Sequence, residues 1–100
     1  MIGNTNHLKF GGKMYIILVY DAQPKRGAKL LKYLRTQLQW VQNSVFEGEI
    51  TNGELALIKS EVKKIVSKKE DSVIIYTFDS MKYNEREIIG IEKNGLNFFL

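Results

Sequence analysis

The chain has 100 residues, of which 44% are hydrophobic, and it carries a formal net charge of +4 at pH 7. This length and composition are typical of one globular domain with one core, and no apolar run approaches the roughly 18 residues that would span a bilayer. The chain contains no cysteine and one histidine, which excludes disulfides, thiolate nucleophiles and cysteine- or histidine-rich metal sites within one chain.

The charge is unevenly distributed along the sequence. Residues 1–46 contain seven Lys or Arg but one acid, Asp21, whereas residues 47–100 contain eight Lys or Arg and ten acids. The basic half is therefore the expected anion-facing surface. The alternative is that its cations form only a solvated helix face.

Residues 1–13 show no hydrophobic periodicity and precede a second methionine, Met14. We interpret them as an N-terminal extension or tag, disordered, in which His7 has no expected role. The segment is too polar for the apolar centre of a signal peptide, so we expect a cytoplasmic protein without membrane association.

The first predicted element is a strand over Met14–Asp21, with a continuous apolar or aromatic run from Ile16 to Tyr20 that is typical of burial on both faces. Pro24 cannot continue a strand ladder, so the strand ends close to Asp21. The carboxylate at this position has two interpretations: a functional group, or a cap on the turn into the next helix.

A helical period follows from Lys25 to Gln39, and Pro24 suits its first turn. Its predicted core side consists of Ala28, Leu30, Leu31, Leu34 and Leu38. Its basic residues, which together with the helix N-terminus would form an anion-binding environment, are Lys25, Arg26, Lys29, Lys32 and Arg35.

Residues 40–51 favour one bent strand or a tight pair of strands. Thr51 and Glu54 then form a predicted capping box. The helix that it opens ends at Lys68–Lys69, and its predicted core residues are Leu55, Ile58, Val62 and Ile65.

The last third of the chain is predicted to contain two strands. Val73–Phe78 is an apolar strand, and a polar loop over 81–86 leads to a short edge strand, Glu87–Glu92. Asn94–Gly95 indicates a turn before an apolar tail. We expect the tail to pack on a second subunit, with packing on its own sheet as the alternative.

The order of these elements predicts an α+β fold: a ferredoxin-like βαββαβ sandwich at 14–92 with an extra C-terminal strand, followed by a tail at 93–100. Three stretches carry a family resemblance: Met-Tyr-Ile-Ile-Leu-Val-Tyr-Asp at 14–21, Val-Gln-Asn-Ser-Val-Phe-Glu-Gly-Glu-Ile-Thr at 41–51 and Asp-Ser-Val-Ile-Ile-Tyr at 71–76. Together they resemble the family of CRISPR-associated protein 2, over residues 14–92.

That resemblance implies a homodimer in which Asp21 faces its symmetry mate and is associated with a divalent metal, Mg²⁺ or Mn²⁺. It implies a metal-dependent endonuclease of CRISPR spacer acquisition, acting on RNA or double-stranded DNA. The alternative that it also implies is a non-catalytic DNA-binding scaffold that bridges dimers of the partner integrase, CRISPR-associated protein 1. Arg26 matches a basic position of the family, and the residues matching its motifs are Tyr20, Ser44 and Phe46.

Two positions depart from the family pattern. Ala28 replaces an arginine found in many relatives, and Trp40 replaces another. Trp40 is interpreted either as a core residue or as a surface on which a base stacks. A third hypothesis, a ferredoxin-like ligand or regulatory module, finds no phosphate-binding loop or ligand motif in the sequence.

Overall fold

The computed structural model describes residues 12–79 and 82–93, with only the backbone at 82–84. The elements in chain order are β1 (Met14–Asp21), α1 (Pro24–Leu34), β2 (Gln39–Gln42), β3 (Val45–Ile50), α2 (Asn52–Ile65), β4 (Ser72–Asp79) and β5 (Lys82–Gly90). The strands form one antiparallel sheet in the order β2-β3-β1-β4-β5. The predicted α+β architecture, with two helices and an added strand beyond β4, is confirmed.

Strand β1 lies at the centre of the sheet, and its alternating residues divide the molecule into two faces. Ile16, Leu18 and Tyr20 pack with the buried side chains of both helices in one core cluster. We call this side the helix face. The opposite side, to which residues 15, 17, 19 and 21 of β1 point, is called the helix-free face.

Helix α1 begins at Pro24 as predicted, but it ends at Leu34 rather than at Gln39. Beyond it, backbone hydrogen bonds from residues 35–38 to the last turn bend the chain toward β2. Leu34 and Leu38 are buried, and Leu31 packs against the core. Ala28 is exposed, so its assignment to the core is wrong. It lies on α1 between the buried leucines and the basic residues.

The segment 40–51 forms a pair of strands, which decides between the two alternatives. Asn43 adopts a positive φ of 43°, a conformation that Asn tolerates better than most residues, and the chain reverses there between β2 and β3. The ladder shifts register between Trp40 and Gln42.

Helix α2 begins with the predicted capping box: the Thr51 hydroxyl accepts from the Glu54 N–H at 3.1 Å, and the Glu54 carboxylate accepts from the Thr51 N–H at 2.8 Å. Leu55, Ile58 and Val62 are buried as predicted. The helix ends at Ile65, with Val66 extended, so the predicted end at Lys68–Lys69 is too late.

Strand β5 begins at Lys82, so the polar loop predicted over 81–86 is wrong. An edge strand needs only backbone pairing and one partly buried face, which polar side chains permit. The predicted turn at 94–95, the apolar tail and nearly all of the N-terminal extension lie outside the described residues. Within the described part of the chain, no helix has the length and apolar character required to cross a membrane.

Candidate active site at the end of β1

The carboxylate of Asp21 stands at the end of the central strand, on the helix-free face. Its side chain is 49% exposed, and the Lys93 Nζ lies 3.3 Å from Asp21 Oδ2. Strand pairing sets Asp21 directly opposite Ser72 of β4. The acid is therefore accessible to a ligand, and its described ion pair is of the exposed kind that stabilises folded proteins only slightly.

The start of α1 is capped from a different part of the chain. Its N-cap, Gln23, makes no side-chain capping bond. Instead, the Gln23 N–H donates to Asp71 Oδ1 at 3.1 Å. The carboxylate that bonds the start of the helix is thus Asp71 and not Asp21.

Asp71 is fully buried and connects three parts of the fold. Its carboxylate accepts from the Ser67 N–H at 2.8 Å and from Nε and Nη2 of Arg26. Its backbone carbonyl accepts from the Ile91 N–H at 2.9 Å. The end of β5 passes so close that a Cβ on Gly90, which has φ of 97°, would lie 2.1 Å from that carbonyl oxygen.

These contacts set the charge state of the pair. Hydrogen bonds from Arg26, and then from the Ser67 and Gln23 amides, lower the pKa of Asp71 to about 2 although burial opposes the shift. The hydrogen bonds that Arg26 donates to Asp71 and to Glu70 raise the pKa of Arg26. Asp71 is therefore an anion throughout the physiological pH range.

Arg26 is one of the five residues predicted to bind the phosphates of a nucleic acid, and its contacts bear directly on that prediction. Besides Asp71 it pairs with Glu70, at 2.8 Å between Nη2 and Oε1, and its side chain is 29% exposed. Its guanidinium is thus already engaged by two carboxylates. The other four basic residues of the set are exposed: Lys25, Lys29, Lys32 and Arg35. Nucleic-acid binding by all five stays a prediction.

The end of β1 is stabilised by contacts of the residues that match the family motifs. Tyr20 and Phe46 are buried, with ring centroids 6.3 Å apart. The Tyr20 hydroxyl donates to the Gly27 carbonyl at 3.4 Å, and the Tyr20 N–H donates to the Ser44 carbonyl at 3.1 Å. Burial raises the Tyr20 pKa. These three positions fix the backbone immediately before Asp21.

Ser72 provides a further polar group beside Asp21. Its hydroxyl is fully buried and makes no hydrogen bond to any residue that the structure describes, which is a costly arrangement for a polar group. No group of three or more His, Cys, Asp or Glu side chains suited to a metal occurs among the described residues. A single accessible carboxylate, that of Asp21, is the least that Mg²⁺ commonly uses in proteins, where the ion retains several waters.

Asp71 was not identified as a site residue from the sequence. The available signal was indirect: Gln23 and Pro24 give α1 no good capping side chain of its own, so its amides require an acceptor from elsewhere. An acid immediately before an apolar strand is such an acceptor. Trp40 also differs from expectation, because 48% of its surface is exposed and its interpretation as a core residue is wrong.

Comparison with known families identifies the chain's relatives. The sequence profile described as CRISPR associated protein Cas2 matches residues 14–86. A relative from Pyrococcus furiosus, named CRISPR-associated endoribonuclease Cas2, is 54% identical over 83 residues, which cover 83% of this chain and 95% of the relative. A relative of the same name from Thermotoga maritima is 50% identical over 85 residues, covering 85% and 98%.

Two solved structures are also similar. One, described as a crystal structure of cas2, has a TM-score of 0.64 and 40% identity, covering 82% of this chain and 92% of that one. The other, Cas2 of Streptococcus pyogenes at pH 6.5, has a TM-score of 0.61 and 30% identity, covering 66% and 87%. The similarity therefore extends over the sheet and both helices that position Asp21.

Proposed function

Because this chain belongs to the family of CRISPR-associated Cas2 proteins, we propose that it is an endoribonuclease whose reaction centre is built around Asp21. The observation that carries the proposal is the half-exposed carboxylate at the end of the central strand. Relatives of about 50% identity bear the name endoribonuclease. Asp21 is accessible to solvent and lies opposite Ser72 in the strand ladder, which supports the proposal.

The proposed enzyme is a homodimer that associates through the helix-free face. Strand alternation points Ile17 and Tyr76 toward that side, together with Ile88, and these three are only partly buried. Asp21 points to the same side. A two-fold contact across this face would bring the two Asp21 carboxylates toward each other and supply two acids where one chain has one.

The proposed cofactor is Mg²⁺ or Mn²⁺, held by Asp21 and its equivalent in the partner. When bound, such an ion stabilises the charge that develops on the phosphoryl oxygens. The protein positions Asp21 through Tyr20 and Ser44, and it keeps Lys93 within 3.3 Å. Without the cation, Lys93 neutralises Asp21. Binding of a divalent cation at Asp21 would therefore displace the Lys93 ammonium group.

The biological setting that we propose is CRISPR spacer acquisition, alongside the integrase of that system and its double-stranded DNA. The exposed cations of α1 would follow the phosphates of the nucleic acid without reading its bases. In this setting cleavage and DNA bridging would use the same dimer, with the Asp21 pair at its centre.

The experiment that tests the proposal is cleavage of a labelled single-stranded RNA with Mg²⁺ or Mn²⁺, compared across the wild type and two variants. Asp21→Ala should abolish cleavage while RNA binding and the melting temperature are retained. The matched control is Asp79→Ala, which removes another exposed strand-end aspartate, at the opposite end of the sheet. It should cleave like the wild type.

Cleavage that persists in Asp21→Ala, or that is absent from wild-type protein that binds RNA, would overturn the catalytic assignment. Loss of cleavage in both variants would also contradict it, because the effect would then not depend on the position of the acid. Metal removal with EDTA should stop wild-type cleavage, and added Mn²⁺ should restore it.

A further inference from the structure

Trp40 lies on the surface in β2, the strand that follows α1, and not in the core where such a large aromatic residue is expected. It pairs with Phe46 across β2 and β3, so its ring lies at the sheet edge on the helix face. It exposes 48% of its surface, as does its neighbour Val41. The two neighbouring side chains form a small exposed apolar surface, which is accessible to a ligand.

The indole is held in a fixed orientation by two contacts. Its Nε1–H donates to the Asn43 carbonyl at 2.9 Å, so the polar edge of the ring is satisfied. The Arg35 guanidinium lies over the ring, with Cζ 5.7 Å from the centroid. The result is an ordered aromatic ring with a cation over one of its faces, and we call Trp40 with Arg35 the stacking platform.

The platform continues the basic side of α1. Lys25, Lys29 and Lys32 recur at helical spacing and are exposed, and Arg35 follows Lys32 by one turn. The helix has 11 residues, which correspond to about 16 Å of axial length. A line of cations therefore runs from the end of β1, where Asp21 lies, to the platform.

We propose that the stacking platform binds an unpaired base of a single-stranded RNA whose phosphates follow the basic side of α1. Aromatic rings bind unpaired bases because every base has a π-face, and a neighbouring Arg adds a cation–π contribution. Bases within a duplex are already stacked on each other and do not meet the ring. The inference rests on the proposed ribonuclease function and adds a base-binding position outside its reaction centre.

The protein itself provides a direct reporter, because Trp40 is its one tryptophan. Wild-type protein is titrated with an oligoadenylate in EDTA, which prevents metal-dependent cleavage, and indole fluorescence is followed. We expect saturable quenching by the RNA. A duplex RNA of equal length and inorganic polyphosphate, which offers phosphates without bases, should bind the cations and leave the indole emission nearly unchanged.

Two matched variants separate stacking from general surface effects. Trp40→Ala should weaken oligoadenylate binding about tenfold by anisotropy of labelled RNA, and Trp40→Phe should recover most of it. Val41→Ala, a change at an equally exposed neighbour in the same strand, should bind like the wild type.

Three results would overturn the proposal. They are binding without quenching, equal quenching by polyphosphate, and equal affinities of Trp40→Ala and Val41→Ala. Indole emission that changes with protein concentration but not with added RNA would indicate instead that the ring contacts a second copy of the chain. Because no step of this experiment requires cleavage, its failure is distinguishable from failure of the Asp21 proposal.

Discussion

Two aspartates lie at the same end of the sheet, Asp21 at the end of β1 and Asp71 immediately before β4, yet their environments are opposite. Asp21 points to the helix-free face, half exposed, with Lys93 beside it. Asp71 precedes the partner of Asp21 in the ladder, so it points to the helix face and is fully buried. There Arg26 and the Gln23 and Ser67 amides bind it.

The difference shows that a shift of one position in the strand ladder decides whether a carboxylate stabilises the fold or is accessible to a ligand. Strand alternation places one carboxylate among donors that satisfy it and the other in solvent. The satisfied acid stabilises the turn that leads into α1, and the accessible acid remains free to bind a ligand. Each of the following predictions tests one side of that comparison.

The largest expected effect is that of Asp71→Ala on stability. The substitution leaves the Gln23 and Ser67 amides and the Arg26 guanidinium without their acceptor, which should reduce the free energy of unfolding by about 3–5 kcal/mol. Urea unfolding followed by circular dichroism measures this loss.

The matched comparison is Asp21→Ala in the same measurement. It removes an exposed ion pair, so stability should change by no more than about 1 kcal/mol. Equal losses for the two variants would mean that the carboxylates do not differ in their structural role.

The second prediction concerns the stability of the protein at acidic pH. The ordinary pKa of 3.8 for Asp71 falls to about 2 in the folded protein, so the unfolded chain takes up this proton at higher pH. Stability from this group is therefore complete above about pH 4 and lost as pH falls toward 2, a change on the order of 2 kcal/mol. Urea midpoints measured between pH 5 and 2 should fall less steeply in Asp71→Asn than in the wild type.

A third, smaller effect is expected from Arg26→Lys. Lysine keeps the charge but lacks the fork that donates to Asp71 and Glu70 together, so the melting temperature should fall, by less than in Asp71→Ala. RNA affinity should change little if Arg26 acts through these two carboxylates. A large loss of affinity at an unchanged melting temperature would instead assign Arg26 to phosphate binding.

A small effect of opposite sign on stability is expected from Ser72→Ala. Removing a buried hydroxyl without a partner should raise the free energy of unfolding by about 1 kcal/mol in metal-free protein. If the hydroxyl serves a ligand at Asp21, Mn²⁺ affinity measured by calorimetry should fall at the same time. Increased stability with unchanged Mn²⁺ affinity would leave Ser72 without a role at the site.

Most of the architecture was predictable because local patterns specify it. The apolar run of β1 and the capping box at Thr51 and Glu54 each determine an element within a few residues. The ends of elements were less predictable: α2 is four residues shorter than its pattern because Val66 turns to the extended conformation. Only the second half of β5 was predicted. Residues 82–86 form a strand through backbone pairing although their sequence is polar.

The candidate site was predictable in part. Asp21 could be selected because it is an isolated acid after an apolar strand, and its accessibility follows from strand alternation. The binding of Asp71 to Arg26 could not be found in the same way, because the two are 45 positions apart and meet only when β4 pairs with β1. The exposure of Trp40 likewise depends on where the chain bends after α1.

The central position of β1 also constrains how the chain is made. This strand leaves the ribosome well before one of its two neighbours, β4, because Tyr15 pairs with Phe78. Until β4 has emerged, one side of the most apolar strand presents unpaired backbone groups to other chains. We expect nascent chains that end after α2 to aggregate or to recruit a chaperone, and the sheet to form completely only after β4 has emerged.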